Sequence, residues 1–436
     1  MSTHDFRELI EKNKTQFYDD LAKIIAIPSV KEKPELGAPY GIQNKKVLEK
    51  IIEIAESYGF QAQLVDNALA YIQVGSAEDY IGIIGHLDVV AAGGKWTYPP
   101  FKLTQANGKL YGRGILDNKG PIFSCLYGLK LLSEQGYRLN KTLRIIFGTD
   151  EESGSSDINC YLESEKAPTF AFTPDCKYPV VYGERGIINV EMISILPPES
   201  LARISEIEGE QARSFVPDML TCSLEGEMLS VRGKRAPSNA PELGENAITL
   251  LAEKIKNHTE DSVLKAYFTG LYDALHEKHH GEGMEMAWQD EMSGKLSMTP
   301  YLLEKTTTGF KLGLSIRYPV SYTEAQILAG LEKVANQAEI PTKVALIRSL
   351  PSLLVDKNRL EIKQLTKAYG DVTGLDSTPV TTTGATYARF LPETVAFGPS
   401  FPGQKGIAHN VDEYMDEEDL LLNMEIYMNA ILNLCE

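Results

Sequence analysis

Apolar residues recur at helical spacing from about His4 to Ile27 and again from Ile42 to Tyr58. Both stretches predict amphipathic helices that lay one face on a core. YIGIIG, ending at Gly85, is instead a continuous apolar run, the mark of a strand buried on both faces. GKLYGRG reads as a Gly-punctuated strand. A helix follows from about Pro121 to Gln135, with Pro121 in its first turn and Gly136 just past its end. TLRIIFGT and PTFAFT are further buried strands. This alternation predicts a mostly parallel or mixed sheet covered by helices.

The pattern changes after Gly186. INVEMISI, EGEMLSVRG and GFKLGLSIRYP alternate apolar and polar positions over longer strands, with helices at Asn246–Lys256 and Ser262–His276 between them. From about Asp356 the earlier rhythm returns: a helix to Tyr369, the loop TTTGATYARF, the strand ETVAFG, a loop to His409 and a closing helix from Glu417 to Leu434. The expected fold class is therefore α/β. Residues 1–183 and 355–436 form one sheet domain, and 184–354 an inserted α+β domain. No internal repeat or low-complexity segment interrupts this organisation.

Composition narrows the function. The formal charge of −17 disfavours nucleic acid and an anionic membrane surface as partners. No apolar stretch approaches the roughly 18 residues of a membrane span, and MSTHDFRELIEKNKTQFYDDLAKII lacks the apolar core of a signal peptide. The 5 cysteines are scattered and never in CxxC spacing, as in reduced cytosolic proteins. A cytoplasmic enzyme is the expectation.

Candidate chemistry gathers at the predicted strand ends, the edge of an open α/β sheet where ligands bind. In GHLDVV, His86 and Asp88 point the same way on an extended backbone. Asp88 can then accept the second imidazole N–H, as partners of metal-bound histidines do. The bland alternative is a strand-end histidine satisfied by a local acid. Asp117, in GRGILDNKGP, has the position of a helix N-cap. FGTDEESGS sets consecutive acids at a strand end, where they repel one another unless a cation compensates. One of Glu151 and Glu152 can bind metal while the other takes a proton from water; the residue types do not say which. The bland alternative there is a solvated acidic turn with Ser155 or Ser156 capping the next helix. Asp175 in FTPDCKYP and His409 in GQKGIAHNVDEY complete the set. Imidazoles and carboxylates converging on one edge suit a pair of divalent cations, zinc first. His276, His279 and His280 in HEKHHG lack an evident carboxylate set and read as a solvated helix end.

GHLDVV, GRGxxDNKGP, GTDEESG, the PD of FTPD, the TTxGxTYAR loop and the late histidine together resemble co-catalytic zinc metallopeptidases of the carboxypeptidase/aminoacylase kind, closest to bacterial PepV-type dipeptidases. The resemblance covers nearly the whole chain. It implies a di-metal peptidase domain with a two-lobed α+β lid, and a monomer because that lid is large. His86, Asp117 and Asp175 would bind metal, Asp117 bridging two divalent ions, with Glu152 and His409 on the second. Zinc would be the ion, with manganese or cobalt as alternatives. Asp88 would orient His86, and Glu151 would be the general base for a metal-activated water. An aspartate at position 175 favours a dipeptidase, with short peptides as substrates. Arg317 in IRYP would grip the substrate's C-terminal carboxylate, its planar fork suiting bidentate pairing. Gly384 in the TTxGxTYAR loop would line the substrate site. The Asp117–Asn118 peptide would be cis.

Two positions depart from the family pattern. Pro237, in RAPSNAPELGENA, stands where the family places a lid histidine, and Ser214, in SFVPD, replaces an asparagine. Losing one oxyanion donor typically costs about 10²–10³-fold in rate. Arg235 and Asn239 are the candidate substitutes. The rival readings are an N-acyl amino acid amidohydrolase on the same fold and a binding homologue with weakened turnover.

Overall fold

The computed structural model describes residues 4–404 and 407–436. The chain divides into two compact units: Met1–Tyr182, Val355–Val380 and Gly384–Glu436 form the first, and Gly183–Leu354 with Thr381–Thr383 the second.

In chain order the first unit contains α1 (Arg7–Ile25), α2 (Ile42–Ser57), β1 (Gln61–Val65), β2 (Leu69–Val74), β3 (Tyr80–His86), α3 (Lys119–Glu134), β4 (Thr142–Gly148), α4 (Asp157–Ser164), β5 (Phe170–Thr173), β6 (Val180–Glu184), α5 (Leu360–Thr373), β7 (Thr394–Phe397) and α6 (Glu417–Cys435). The sheet order is β1-β2-β4-β3-β5-β7-β6. β4, β3, β5 and β7 run parallel, while β1, β2 and β6 run antiparallel to their neighbours. The result is the expected α/β class with a mixed sheet. Every residue of β3 is buried, which is why its sequence is uniformly apolar. α3 packs against α1, α6 and β3. Enclosed on these sides, it buries its residues from Lys119 to Leu132 and carries no polar face.

In the second unit, Gly186–Ile195, Gly309–Tyr318, Ser297–Lys305 and Thr342–Leu350 make a four-stranded antiparallel sheet. A separate hairpin, Met219–Leu224 with Glu227–Arg232, accompanies the helices Ala247–His258 and Ser262–Leu275. The two parts share one continuous apolar core, in which Leu220 and Ile248 belong to the same cluster as Ile188 and Leu314.

Several elements differ from the sequence expectation. Only Lys109–Tyr111 of GKLYGRG is strand. The helix expected from Asp356 starts at Leu360, because Asp356 first closes a turn by accepting from the Asn358 and Arg359 amides. It runs on to Thr373, where Gly374 adopts the left-handed conformation that ends helices. The pairs β1–β2 and β6, the strands Ser297–Lys305 and Thr342–Leu350, and the helix Glu324–Gln337 gave no clear sequence signal. Thr342–Leu350, for one, lies at a sheet edge, half-buried and exposed along its length.

Candidate active site

Three adjacent parallel strands deliver the acids and one histidine to a single sheet edge. In the order β4-β3-β5, the chain leaves with Glu151 and Glu152, with His86 and Asp88, and with Asp175. Parallel register sets His86 opposite Gly148, so the strands end level. Asp117 comes from the loop ahead of α3. Gly120 lies so close to the Ile115 carbonyl that a β-carbon would collide with it, and this keeps the loop tight. The Asp117–Asn118 peptide is cis, as the resemblance implies. The Asn118 side chain accepts from the His86 amide at 3.3 Å and donates to the Pro174 carbonyl at 2.5 Å, tying the ends of β3 and β5 to α3.

The Asp117 carboxylate faces two imidazoles. Its Oδ1 lies 3.0 Å from His86 Nε2 and its Oδ2 lies 3.0 Å from His409 Nε2. His409 Nε2 is also 3.0 Å from Glu152 Oε1, and His86 Nε2 is 3.7 Å from Asp175 Oδ2. Ligand atoms of His86, Asp117 and Glu152 lie within 4.8 Å of one another, as do those of His86, Glu151 and Asp175. Two ligands each about 2.0 Å from one tetrahedral ion sit about 3.3 Å apart. The observed separations are thus of the size of ligand–ligand edges, and nitrogen and oxygen donors of this kind suit borderline divalent cations.

The electrostatics point the same way. Burial and the charge of Asp175 raise the Glu151 carboxyl well above the usual range, and burial and Asp117 raise Glu152. Asp175 is pushed up to about 7 by burial and by Asp117. His409, hydrogen-bonded to Asp117 and Glu152, is pushed up to about 11. Burial opposes a charge on His86, but Asp175, Asp117 and Asp88 outweigh it and raise its pKa. A cluster that holds protons this tightly has an excess of acceptors over cations, and divalent ions would replace those protons.

Asp88 is placed differently from the simplest expectation. His86 Nδ1 lies nearer the Asp88 main-chain oxygen, at 2.9 Å, than its carboxylate, at 3.4 Å. The carboxylate accepts instead from the Glu151 and Glu152 amides, at 3.3 and 3.2 Å. One residue therefore orients both the histidine and the glutamate pair. Asp117 is not itself the helix N-cap; Asn118 holds that position. Ser156 precedes α4 but makes no capping bond, its hydroxyl donating to Asp150 at 2.5 Å. The Gly384 carbonyl accepts from Arg389 at 3.0 Å. Arg317 lies in Gly309–Tyr318, opposite Ile187 and Ser297.

In the second unit, Pro237 bridges Phe215 next to Ser214, so the two departures from the family pattern are neighbours. Arg235 is engaged by Asp218 and Glu210, each at 2.8 Å, and lies over the Phe215 ring. This commitment makes it a poor substitute donor. Two histidines of HEKHHG have partners of their own: His276 contacts Thr249 at 3.1 Å and stacks on Tyr272, while His280 contacts the Leu296 carbonyl at 2.9 Å.

Some supporting residues escaped sequence reasoning. Buried Asp157 accepts from the Thr149 amide at 2.8 Å and the Tyr387 hydroxyl at 2.5 Å, and the Tyr387 ring meets His86 edge-on. Lys31 pairs with buried Asp150 at 2.6 Å. Asp157 just beyond the acidic run and Tyr387 within the TTxGxTYAR loop were the available signals.

Residues 82–433 match the description "Peptidase family M20/M25/M40". The chain belongs to this family. "Putative dipeptidase YtjP" of Bacillus subtilis (strain 168) is 30% identical over 464 aligned residues, covering 98% of this chain and 99% of the relative. Human carnosine dipeptidase 1 shares the fold, with a TM-score of 0.62 at 15% identity and full coverage of both chains. The YXEP protein of Bacillus subtilis, described as a dinuclear metal-binding peptidase from the M20 family, superposes with a TM-score of 0.54 at 12% identity over 97% of this chain and 99% of its own. Among the described residues of this M20 member, no helix is long and apolar enough to cross a membrane.

Proposed function

We propose that this M20 peptidase is a metal-dependent dipeptidase whose two divalent ions share Asp117. The observation that carries the reading is the pair of 3.0 Å contacts from the two Asp117 oxygens to His86 and His409. His86 and Asp175 would complete one ligand set, Glu152 and His409 the other. Zinc is the proposed ion, since imidazole and carboxylate donors suit it. Bound there, the ions would acidify a water and polarise the scissile carbonyl.

Glu151 and Glu152 then divide their labour. Glu152 lies 3.0 Å from His409, which supports its place in the proposed ligand set. Glu151 is the proposed general base. In the metal-free protein, burial and the charge of Asp175 make its carboxyl a better proton acceptor than an exposed glutamate. It takes one proton from the attacking water as the oxygen bonds to the carbonyl carbon. It returns that proton to the amine as the C–N bond breaks. Asp88 holds His86 and the Glu151–Glu152 backbone in register for this transfer. Arg317 and Gly384 are the proposed substrate contacts, Arg317 through the peptide's terminal carboxylate.

We place the protein in the cytoplasm as a monomer of the PepV type. The test is hydrolysis of a dipeptide panel by zinc- and manganese-loaded protein, with N-acyl amino acids alongside and bound metal counted. Dipeptide turnover with two ions per chain is expected. Turnover of N-acyl amino acids alone would replace the dipeptidase reading, and binding without turnover would make the chain a binding homologue.

A further inference from the structure

We infer that Glu413 is the positioning residue that sets Asp117, and with it His409, for cation binding; this rests on the reading of those two residues as ligands. Glu413 is fully buried, on the loop that supplies His409. Its Oε1 accepts from the main-chain amides of Gly114 and Leu116, both at 3.0 Å, and of Asp117 at 3.2 Å. Its Oε2 accepts from Arg113 Nη1 at 2.6 Å, and Arg113 is buried as deeply. A single carboxylate thus gathers the whole turn that ends in Asp117.

The main chain repeats the connection. The Glu413 carbonyl accepts from the Gly112 amide at 3.1 Å, and the following strand, Tyr414–Asp416, pairs with Lys109–Tyr111. On the other side Asp412 accepts from the Thr97 amide and hydroxyl at 2.7 and 2.8 Å. The His409 loop is therefore anchored at the point where it meets the Asp117 loop.

A buried carboxylate persists only where donors and a cation compensate it, and here Arg113 and the amide group do so. Removing its oxygens would leave those amides without acceptors inside the protein. The turn would then rearrange to find others. The turn's product is the orientation of the Asp117 carboxylate, its oxygens divided between His86 and His409. Side chains that orient metal ligands in this indirect way are typically worth about 10–100-fold in metal affinity. A purely structural Arg113–Glu413 pair would change the melting temperature and leave that affinity alone.

The test compares Arg113→Met/Glu413→Gln, which retains an oxygen for the amides, with Arg113→Met/Glu413→Met, which removes it without stranding a buried charge. Metal-free protein is titrated with cobalt(II), reading visible absorption and competition against a chelator, with melting of the metal-free form alongside. The methionine pair is expected to bind cobalt at least about tenfold more weakly than the glutamine pair, with an altered spectrum. Equal affinity and equal spectra in two folded variants would overturn the inference. Asp117→Asn in the same titration tests the ligand reading separately: parental affinity there refutes that reading whatever Glu413 does. Should the methionine pair fail to fold, hydrogen exchange on the unmodified protein decides. Adding metal should slow exchange in 114–117 and 409–413 together, and slowing in only one of them would refute the coupling.

Discussion

His86 and His409 face one carboxylate from unlike settings. His86 closes the central strand β3, is wholly buried, and sits among Asp88, Asp117 and Asp175. His409 has a left-handed backbone (φ 65°) in a loop, and 53% of its side chain is exposed. The sheet holds one half of the site by itself, while the other half rests on loop contacts and would gain its order from a bound ion. A strongly held cation beside a more exchangeable one is the expected consequence.

The largest expected effect lies in the buried half. Glu151→Gln should retain both ions yet lose about 10²–10⁴-fold in turnover, the usual contribution of a general base. Kinetics with metal counting will show it. Glu152→Gln should weaken metal first, and swapped phenotypes would reverse the two roles.

Next come the histidines themselves. His86→Ala should lower the affinity of the tighter ion by about 100-fold or more, beyond the range of indirect partners, and lower the melting temperature because a buried side chain is lost. His409→Ala should release one ion on dialysis with little change in melting. Equal losses from both variants would erase the distinction between the halves. Asp88→Asn should cost about 10–100-fold in metal affinity, because it disturbs the amides of the glutamate pair as well as His86.

The smallest effect is in pH. In metal-free protein Asp175 titrates near 7, against 3.8 for an ordinary aspartate. Across that window the native state holds the proton that the unfolded chain has lost. The contribution of Asp175 to metal-free stability is therefore complete below about pH 4 and lost as pH rises through 7. Metal must displace the same proton, so affinity should increase over this range. Melting curves of both forms from pH 5 to 8 should diverge as pH rises.

The buried strands were legible because both faces of each are covered, so β3, β4 and β5 read as apolar runs and their C-terminal ends could be marked. His86, Asp117, Glu151, Glu152, Asp175 and His409 were all singled out, and the structure brings them to one edge. The strands β1, β2 and β6 were not legible; β6 is buried throughout, but its apolar run is only Val180–Tyr182. Nor were the edge strands of the second unit: Thr342–Leu350 is half-solvated with irregular alternation, and Ser297–Lys305, though mostly buried, contains Pro300 and shifts register there. The burial of Glu413, in a loop, and of Asp157, at the start of α4, did not show in the sequence, where a buried acid looks like any solvated one.

What this chain determined by itself was chemistry and order: which strands are buried, which acids and histidines end them, and the motif combination that belongs to M20 peptidases. These follow from local patterning and residue type. Only the tertiary structure decided which atoms meet. It set the Asp117 oxygens between His86 and His409, turned the Asp88 carboxylate to the glutamate amides, and buried Glu413 beneath the Asp117 turn. Those contacts join residues up to hundreds of positions apart. Hydrophobic periodicity reports which face of an element is buried and carries no information about which distant polar group will lie against it.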